Sequence, residues 1–363
     1  MPGARRHSVF HPLRVASVDR LTDDAVAVTF DVPPELREEF RFRAGQHVSI
    51  RSPVVGDDVR RNYSICAPAT SGRLRIGVKR IPGGVFSSYV AERLRPGDTL
   101  DIMTPTGSFS TALDPGQRKR YGAIAAGSGI TPVLSILSTA LEIEPGSSAV
   151  LVYVNRTTLN IMFLEDLEDL KNRYPDRFQL IHVLDEEPLD VEILSGRLDA
   201  GRLGRILDTL VLPDDVDEWF LCGPLPMTDV AREVLLARGA AETRIHRELF
   251  FVGPPPAAGD RPAAPQEEAT VGASVTILLD GRSQSFIVPE DGASILEATL
   301  RHRADAPFAC KNGVCGTCRA KVVEGKVRMD ANYALEPAEV DAGYALACQS
   351  HPAADRVVMD FDQ

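Results

Sequence analysis

Between residues 10 and 113, apolar side chains recur at every second position in short segments cut off by Pro and Gly: Val26, Val28, Phe30 and Val32, then Val48 and Ile50, then Leu74, Ile76 and Val78. A period of two puts these side chains on one face of a strand, and a run of such strands predicts a small antiparallel β-barrel. From residue 121 the pattern changes. Apolar strand-like runs at 121–126, 149–154 and 178–184 alternate with helical stretches reaching to 141 and spanning 162–174, which predicts an α/β domain with a parallel sheet covered on both faces. Residues 251–273 are rich in Pro, Ala, Gly and acid, with Pro254-Pro255-Pro256 among them. Such a stretch cannot bury a core and predicts a semi-extended tether. Beyond it, 275–279 and 285–288 flank Asp280-Gly281 as a hairpin. A helix follows at 295–302, and 333–344 is a polar, helix-prone excursion. The expected domains are a barrel at 1–115, an α/β domain at 116–250, a linker at 251–273 and a small α+β domain at 274–363.

Composition narrows the class. A soluble balance of 44% apolar and 25% charged residues over 363 positions fits two or three globular domains. A net charge of -11 argues against a nucleic-acid binder, which would show a basic face. An acidic surface instead suits docking to a basic patch on a protein partner. The first fourteen residues lack the apolar run of a signal peptide, and no stretch approaches the roughly 20 apolar residues of a membrane span. The expected location is the cytoplasm.

Four of the six cysteines carry the strongest chemical signal. Cys310, Cys315 and Cys318 stand in a C-x4-C-x2-C loop, and Cys348 follows at a distance. This is the plant-type pattern for a 2Fe-2S cluster. Gly313 and Gly316 are expected where backbone amides approach the cluster without a Cβ in the way. Zinc sites more often pair two C-x2-C knuckles, and here there is one. Cys66 and Cys222 remain, too far apart in sequence to suggest a disulfide framework.

Arg61-Asn62-Tyr63-Ser64 lies on a barrel strand, where Tyr63 either packs or stacks on a flat ring while Arg61 and Ser64 donate to a phosphate and a ring edge. Gly84, Ser87 and Ser88 open a helix, as a phosphate cradle or an ordinary cap. Gly127-Ser128-Gly129-Ile130-Thr131-Pro132 turns the first α/β strand into a helix. Pro132 replaces the third glycine of the dinucleotide fingerprint, yet the exposed amides still suit a pyrophosphate. The second strand ends in Asn155-Arg156-Thr157-Thr158 with no acid, which favours a 2′-phosphate and hence NADPH, although an arginine there is often only solvated. Cys222-Gly223-Pro224 falls at a carboxyl edge of the sheet, where such folds bind ligands.

In that order and spacing, Arg61-x-Tyr63-Ser64, Gly84-x-x-Ser87 and Pro105-x-Gly107-x-Phe109 resemble the FAD-binding signature of the ferredoxin-NADP reductase superfamily. The resemblance implies that Arg61, Tyr63 and Ser64 meet the isoalloxazine and the phosphate on its side, with Gly84, Ser87 and Ser88 at the pyrophosphate. It implies that Gly127, Gly129 and Thr131 bind the nicotinamide nucleotide and that Cys222, Gly223 and Pro224 sit where its ring reaches the flavin. Glu248 and Phe250 would line the flavin. Thr131, Cys222 and Glu248 are then the expected catalytic residues, Cys222 not as a nucleophile. Residues 41–47 and 63–66, the cysteine loop and Asn332-Tyr333-x-Leu335-Glu336-Pro337 extend the resemblance to the phenylacetate-CoA oxygenase/reductase family, the reductase subunits of ring-1,2-phenylacetyl-CoA epoxidase with a β-grasp ferredoxin domain at the C-terminus. Asn312 stands where many relatives are expected to carry Gly. The resemblance implies electron flow from NADPH through FAD, which accepts a pair and releases it singly, to the cluster and on to a di-iron oxygenase. A reductase for another oxygenase, such as ketosteroid 9-alpha-hydroxylase, shares this module order. An iron–sulfur redox sensor is the alternative of another class, distinguished by copurifying without FAD.

Overall fold

The computed structural model describes residues 10–56, 59–211, 215–250, 271–289, 292–303 and 305–363. The linker expected at 251–273 lies outside them as far as residue 270. Two compact units result, one of residues 12–59 and 63–250, the other chiefly the C-terminal stretch.

The N-terminal sheet contains β1 (Phe10–Thr22), β2 (Ala25–Asp31), β3 (His47–Arg51), β4 (Arg60–Ser64), β5 (Leu74–Lys79) and β6 (Thr99–Met103), in the order β4-β3-β6-β1-β2-β5. Just past β4, Ile65 pairs with Ile76 of β5, and the Cys66 amide donates to Arg75 O at 2.9 Å. The two edges therefore meet, and the sheet closes into the expected barrel. Val28, Val48, Ile50, Ile76 and Val78 all point into its core with at most 1% of their surface exposed, the outcome the period-two pattern demands. Val32 falls one residue beyond β2 and is only partly buried. Helix α1 (Val85–Glu92) buries Phe86 and Val90 against the barrel.

The second sheet holds β7 (Arg120–Ala126), β8 (Ser148–Asn155), β9 (Phe178–Leu184), β10 (Glu218–Cys222) and β11 (Ile245–Glu248), all neighbours parallel, in the order β11-β10-β7-β8-β9. From β7 the chain proceeds to β8 and β9 on one side, then crosses to β10 and β11 on the other. The order reverses between β7 and β10, and in open α/β sheets ligands bind at the carboxyl ends flanking such a reversal. Helix α2 (Ile130–Ile143) is buried almost all round, and Pro132 is accommodated in its first turn, where no intrahelical N–H is required. Helix α3 (Leu164–Arg173) begins two residues later than the pattern suggested, because Phe163 adopts a left-handed backbone with φ 59°. Helices α4 (Ala200–Ile206) and α5 (Leu225–Ala237) complete the layers.

The C-terminal sheet combines β12 (Ala273–Leu279), β13 (Arg282–Val288), β14 (Arg319–Glu324), β16 (Tyr344–Leu346) and β18 (Arg356–Asp360) in the order β13-β12-β18-β14-β16, while β15 (Val327–Met329) pairs with β17 (Ser350–Pro352). Helix α6 (Ile295–His302) matches its predicted span. Ser294 and Glu297 form a reciprocal capping box at its start, and Ile295 and Leu296 are fully buried. Of the helix-prone stretch 333–344 only α7 (Pro337–Asp341) is helical.

Candidate functional site

Two strands that end 184 positions apart supply the central pair. The Ser64 hydroxyl at the end of β4 donates to Glu248 Oε2 at the end of β11, at 3.1 Å. Burial pushes the Glu248 carboxyl up to about 8, opposed only in part by the hydrogen bond from Ser64, so the acid carries its proton at neutral pH. His47 on β3 places Nδ1 3.9 Å from Glu248 Oε1 and Nε2 3.4 Å from Thr106 Oγ1. Burial holds this imidazole down at about 4. A neutral acid therefore faces a neutral ring, and the cluster can hold or pass a proton without creating a buried ion. Cys222 is fully buried at the end of β10, and burial, reinforced by the nearby Glu248, pushes its thiol well up. A thiol held protonated is a poor nucleophile. His47 and Thr106 had no role assigned from the sequence; His47 lies in the stretch 41–47, which was the only signal available for it.

The raised acid has a consequence for stability. Folded Glu248 retains its proton up to about pH 8, whereas unfolded it ionises near its ordinary value of 4.5. Its contribution is present at low pH and lost as pH rises toward 8, at up to about 1.4 kcal/mol per pH unit. Glu248→Gln should therefore gain thermal stability over the parent progressively between pH 5 and 8. Melting curves whose separation is constant over that range would contradict the buried-acid description.

The remaining flavin-side positions are distributed unevenly. Tyr63 is half-buried, its ring centroid 5.7 Å from that of Phe86, and Arg61 is exposed, with Nη1 donating to Arg60 O. Gly84 caps α1 through its backbone. The Ser87 hydroxyl is buried, accepting from the Ile81 amide at 3.1 Å and donating to Gly84 O at 3.3 Å, so it fastens the turn from within. Ser88 is half-buried beside it, and Phe250 lies at the surface, 39% exposed.

At the reversal point, Gly127 has φ 51° and open space around it. Gly129 is there for a different reason: an added Cβ would lie 2.1 Å from Cys222 O. The start of α2 thus rests directly on the end of β10, which joins the Gly127–Gly129 turn to the Cys222-Gly223 turn. Gly223 is buried and Pro224 exposed at the start of α5. Thr131 gives its hydroxyl to Ser128 O at 3.0 Å. Its methyl, together with the Phe163 ring, fills the space that a Cβ on Gly77 of β5 would occupy, locking barrel to nucleotide domain. Arg156 is exposed at the end of β8, with Nη2 3.8 Å from Asp24 Oδ2. No acid follows β8 along the chain, yet the fold brings one to its end: Glu187, arriving from β9, accepts from the Thr158 amide and hydroxyl at 2.7 and 2.9 Å. Sequence order hid it, since it follows the third strand and not the second.

In the C-terminal unit the thiols come together as two pairs, Cys310 with Cys315 and Cys318 with Cys348. Among the described residues no three Cys, His, Asp or Glu side chains converge as one metal ion requires. Two pairs suit two irons better than a single tetrahedral zinc. The Asn312 amide donates to Cys310 Sγ at 3.3 Å. The Cys315 thiol, with the amides of Asn312, Val314 and Cys315, holds the Cys310 thiol down at about 6, and the Gly313 amide serves Cys348. Donors directed at sulfur are what thiolate ligation calls for. Because Asn312 contributes through its backbone and does not need positive φ, a side chain is tolerated there. Gly313 and Gly316 have φ 76° and 65°. Around Gly316 an added Cβ would meet only Ala334 Cβ, at 3.8 Å. Among protein atoms, then, it is the left-handed turn that calls for glycine at that position. The Asn332 motif braces this loop: Asn332 Oδ1 accepts from the Leu335 amide at 2.9 Å, and the Tyr333 amide donates to Gly313 O at 3.0 Å. The donor set and the amides around it fit a 2Fe-2S cluster.

Residues 12–111 match the oxidoreductase FAD-binding domain, 123–233 the oxidoreductase NAD-binding domain, and 277–353 the 2Fe-2S iron-sulfur cluster binding domain. Flavin, nicotinamide nucleotide and cluster in one polypeptide define an electron-transferring oxidoreductase of the ferredoxin-NADP reductase type. The chain is 44% identical to a subunit of the 1,2-phenylacetyl-CoA epoxidase of Escherichia coli over 98% of each chain. It is 34% identical to the ferredoxin reductase component of 3-ketosteroid-9-alpha-monooxygenase of Rhodococcus rhodochrous over 96% of each. It belongs to the family of oxygenase reductases that contains these two proteins. Phthalate dioxygenase reductase, a modular structure for electron transfer from pyridine nucleotides to 2Fe-2S, shares the fold with a TM-score of 0.57 at 22% identity, covering 97% of this chain and 98% of that one. Among the described residues no helix is long and apolar enough to cross a membrane.

Proposed function

We propose that this protein is the reductase component of a phenylacetyl-CoA ring epoxidase, drawing electrons from NADPH and delivering them singly to a di-iron oxygenase. The observation that carries the reading is the near-full-length 44% identity to the epoxidase component of Escherichia coli, supported by the thiol pairs and the partly buried Ser64–Glu248 pair. FAD, when bound, takes a hydride's two electrons and releases them one at a time to the one-electron cluster. Ser64, Glu248 and His47 manage the accompanying proton in a site largely withdrawn from solvent, the Glu248 side chain being 14% exposed. Arg61, Tyr63, Gly84 and Ser88 are assigned to holding FAD, and Cys310, Cys315, Cys318 and Cys348 to holding the cluster. Gly127, Gly129, Thr131, Gly223 and Pro224 shape the nicotinamide side. Six cysteines free of disulfides fit a reducing cytoplasm. The 34% identity to the ketosteroid reductase favours a second reading, in which the partner is a different oxygenase.

Reconstitution separates the two. With purified epoxidase oxygenase subunits, the protein should support NADPH-dependent oxygenation of phenylacetyl-CoA. Support for ketosteroid hydroxylation, and none for phenylacetyl-CoA, would transfer the assignment to the second partner.

Arg156 carries the coenzyme reading. NADPH should give the higher kcat/KM, and Arg156→Ala should raise KM for NADPH more than for NADH. Equal kcat/KM for the two coenzymes in the parent would refute the preference.

A further inference from the structure

We propose that Glu187 limits the coenzyme preference, by holding the two donors that the 2′-phosphate of NADPH would use and by offering an acceptor to the 2′-hydroxyl of NADH. This rests on the reading of the Arg156 loop as the end of the nucleotide site that receives the adenosine ribose.

The backbone delivers Glu187 there by construction. β8 and β9 run parallel, with Asn155 opposite Leu184. Their pairing continues past both strand ends, where the Asp185 amide donates to Asn155 O and the Glu186 amide to Arg156 O, each at 2.9 Å. The next residue is thereby placed beside Thr158. Its carboxylate takes the Thr158 amide on one oxygen and the hydroxyl on the other, a forked geometry of the kind that a phosphate would also adopt. Arg156, the cation of the loop, faces Asp24, which is also 3.6 Å from Lys79 Nζ.

A nucleotide phosphorylated at the 2′ position must displace Glu187 and then remain beside its negative charge. A 2′-hydroxyl both donates and accepts, so it can donate to the same carboxylate with Thr158 still in place. Nucleotide folds commonly supply the ribose-binding acid from the end of the second strand; here it comes from the third. Arg156 and Glu187 therefore act in opposition, and the protein uses both coenzymes with a preference set by their balance.

The test is calorimetric binding of 2′,5′-ADP and 5′-AMP to the holoprotein, with Arg156→Ala as the control for the site. Glu187→Gln should tighten 2′,5′-ADP roughly tenfold, the scale of one additional charge-assisted hydrogen bond, and leave 5′-AMP unchanged or slightly weaker. Glu187→Ala must move the affinity ratio in the same direction and guards against an effect peculiar to the amide. If Arg156→Ala lowers the ratio while neither Glu187 variant raises it, the proposal fails and the site reading stands. If none of the three moves it, this loop does not read the 2′ position and both fail.

Discussion

Cys318→Ser should lose electron delivery to cytochrome c and to the oxygenase down to background, while NADPH still bleaches the flavin absorbance at close to the parent rate. Cys318 is 3% exposed and its thiol is paired with that of Cys348, so the substitution breaks one of the two thiol pairs. A serine hydroxyl is a hard, weakly acidic donor and a poor substitute for a thiolate on iron. The residues assigned to FAD and nucleotide all lie before residue 251, and the four cluster thiols all lie beyond it. Turnover with ferricyanide, a small acceptor able to take electrons at the flavin, should persist. Retention of full transfer to the oxygenase by Cys318→Ser would make the flavin the direct donor and remove the C-terminal domain from the exit route.

Gly129→Ala should be nearly as damaging, although it adds one methyl group and removes nothing. That carbon would have to fit 2.1 Å from Cys222 O, where the obstacle is backbone and not a side chain that can turn aside. Either α2 or the end of β10 must shift. Overpacking of this kind costs about 1–3 kcal/mol, and a displacement near 1 Å in a site that aligns two reacting rings costs roughly 100-fold in rate. Stopped-flow reduction of the flavin by NADPH should slow by about that factor, while dithionite, which needs no docking, reduces it normally. Unchanged hydride transfer in a folded Gly129→Ala protein would show that the contact between the two turns does not position the nucleotide.

Local features were legible in the sequence and convergent ones were not. The cysteine loop could be read because three of its ligands lie within nine residues and their spacing is the geometry. Helix α6 was legible to the residue because its start is chemically marked by Ser294 and Glu297, and the barrel core because Val28, Ile50 and Ile76 obey a period of two. Helix α3 was read two residues too long at its start because nothing in Met162-Phe163 announces a left-handed backbone. The Ser64–Glu248 contact joins the fourth strand to the eleventh, and no spacing rule spans that distance. Glu187 was invisible for a related reason: reading along the chain finds the residues just after the second strand, whereas the neighbour across a parallel ladder is about thirty positions further on. Ser87 shows the remaining limit, for a hydroxyl at a helix start is compatible with a ligand or with its own turn, and only the direction of the side chain decides.

The packing of Thr131 and Phe163 against Gly77 bears on how such reductases can be recombined. Gly77 belongs to the barrel, and the two side chains that occupy its missing Cβ belong to the nucleotide domain, so each half is shaped to the other's interior. A crossover placed near residue 115, where the sequence suggests a module boundary, would pair a barrel from one parent with a helix start from another. If the incoming barrel carries alanine at position 77, the seam has no room to close. Chimeras between relatives should therefore inherit barrel and nucleotide domain from a single parent, and libraries that cut between them will recover function chiefly where the glycine and its two occupants travel together.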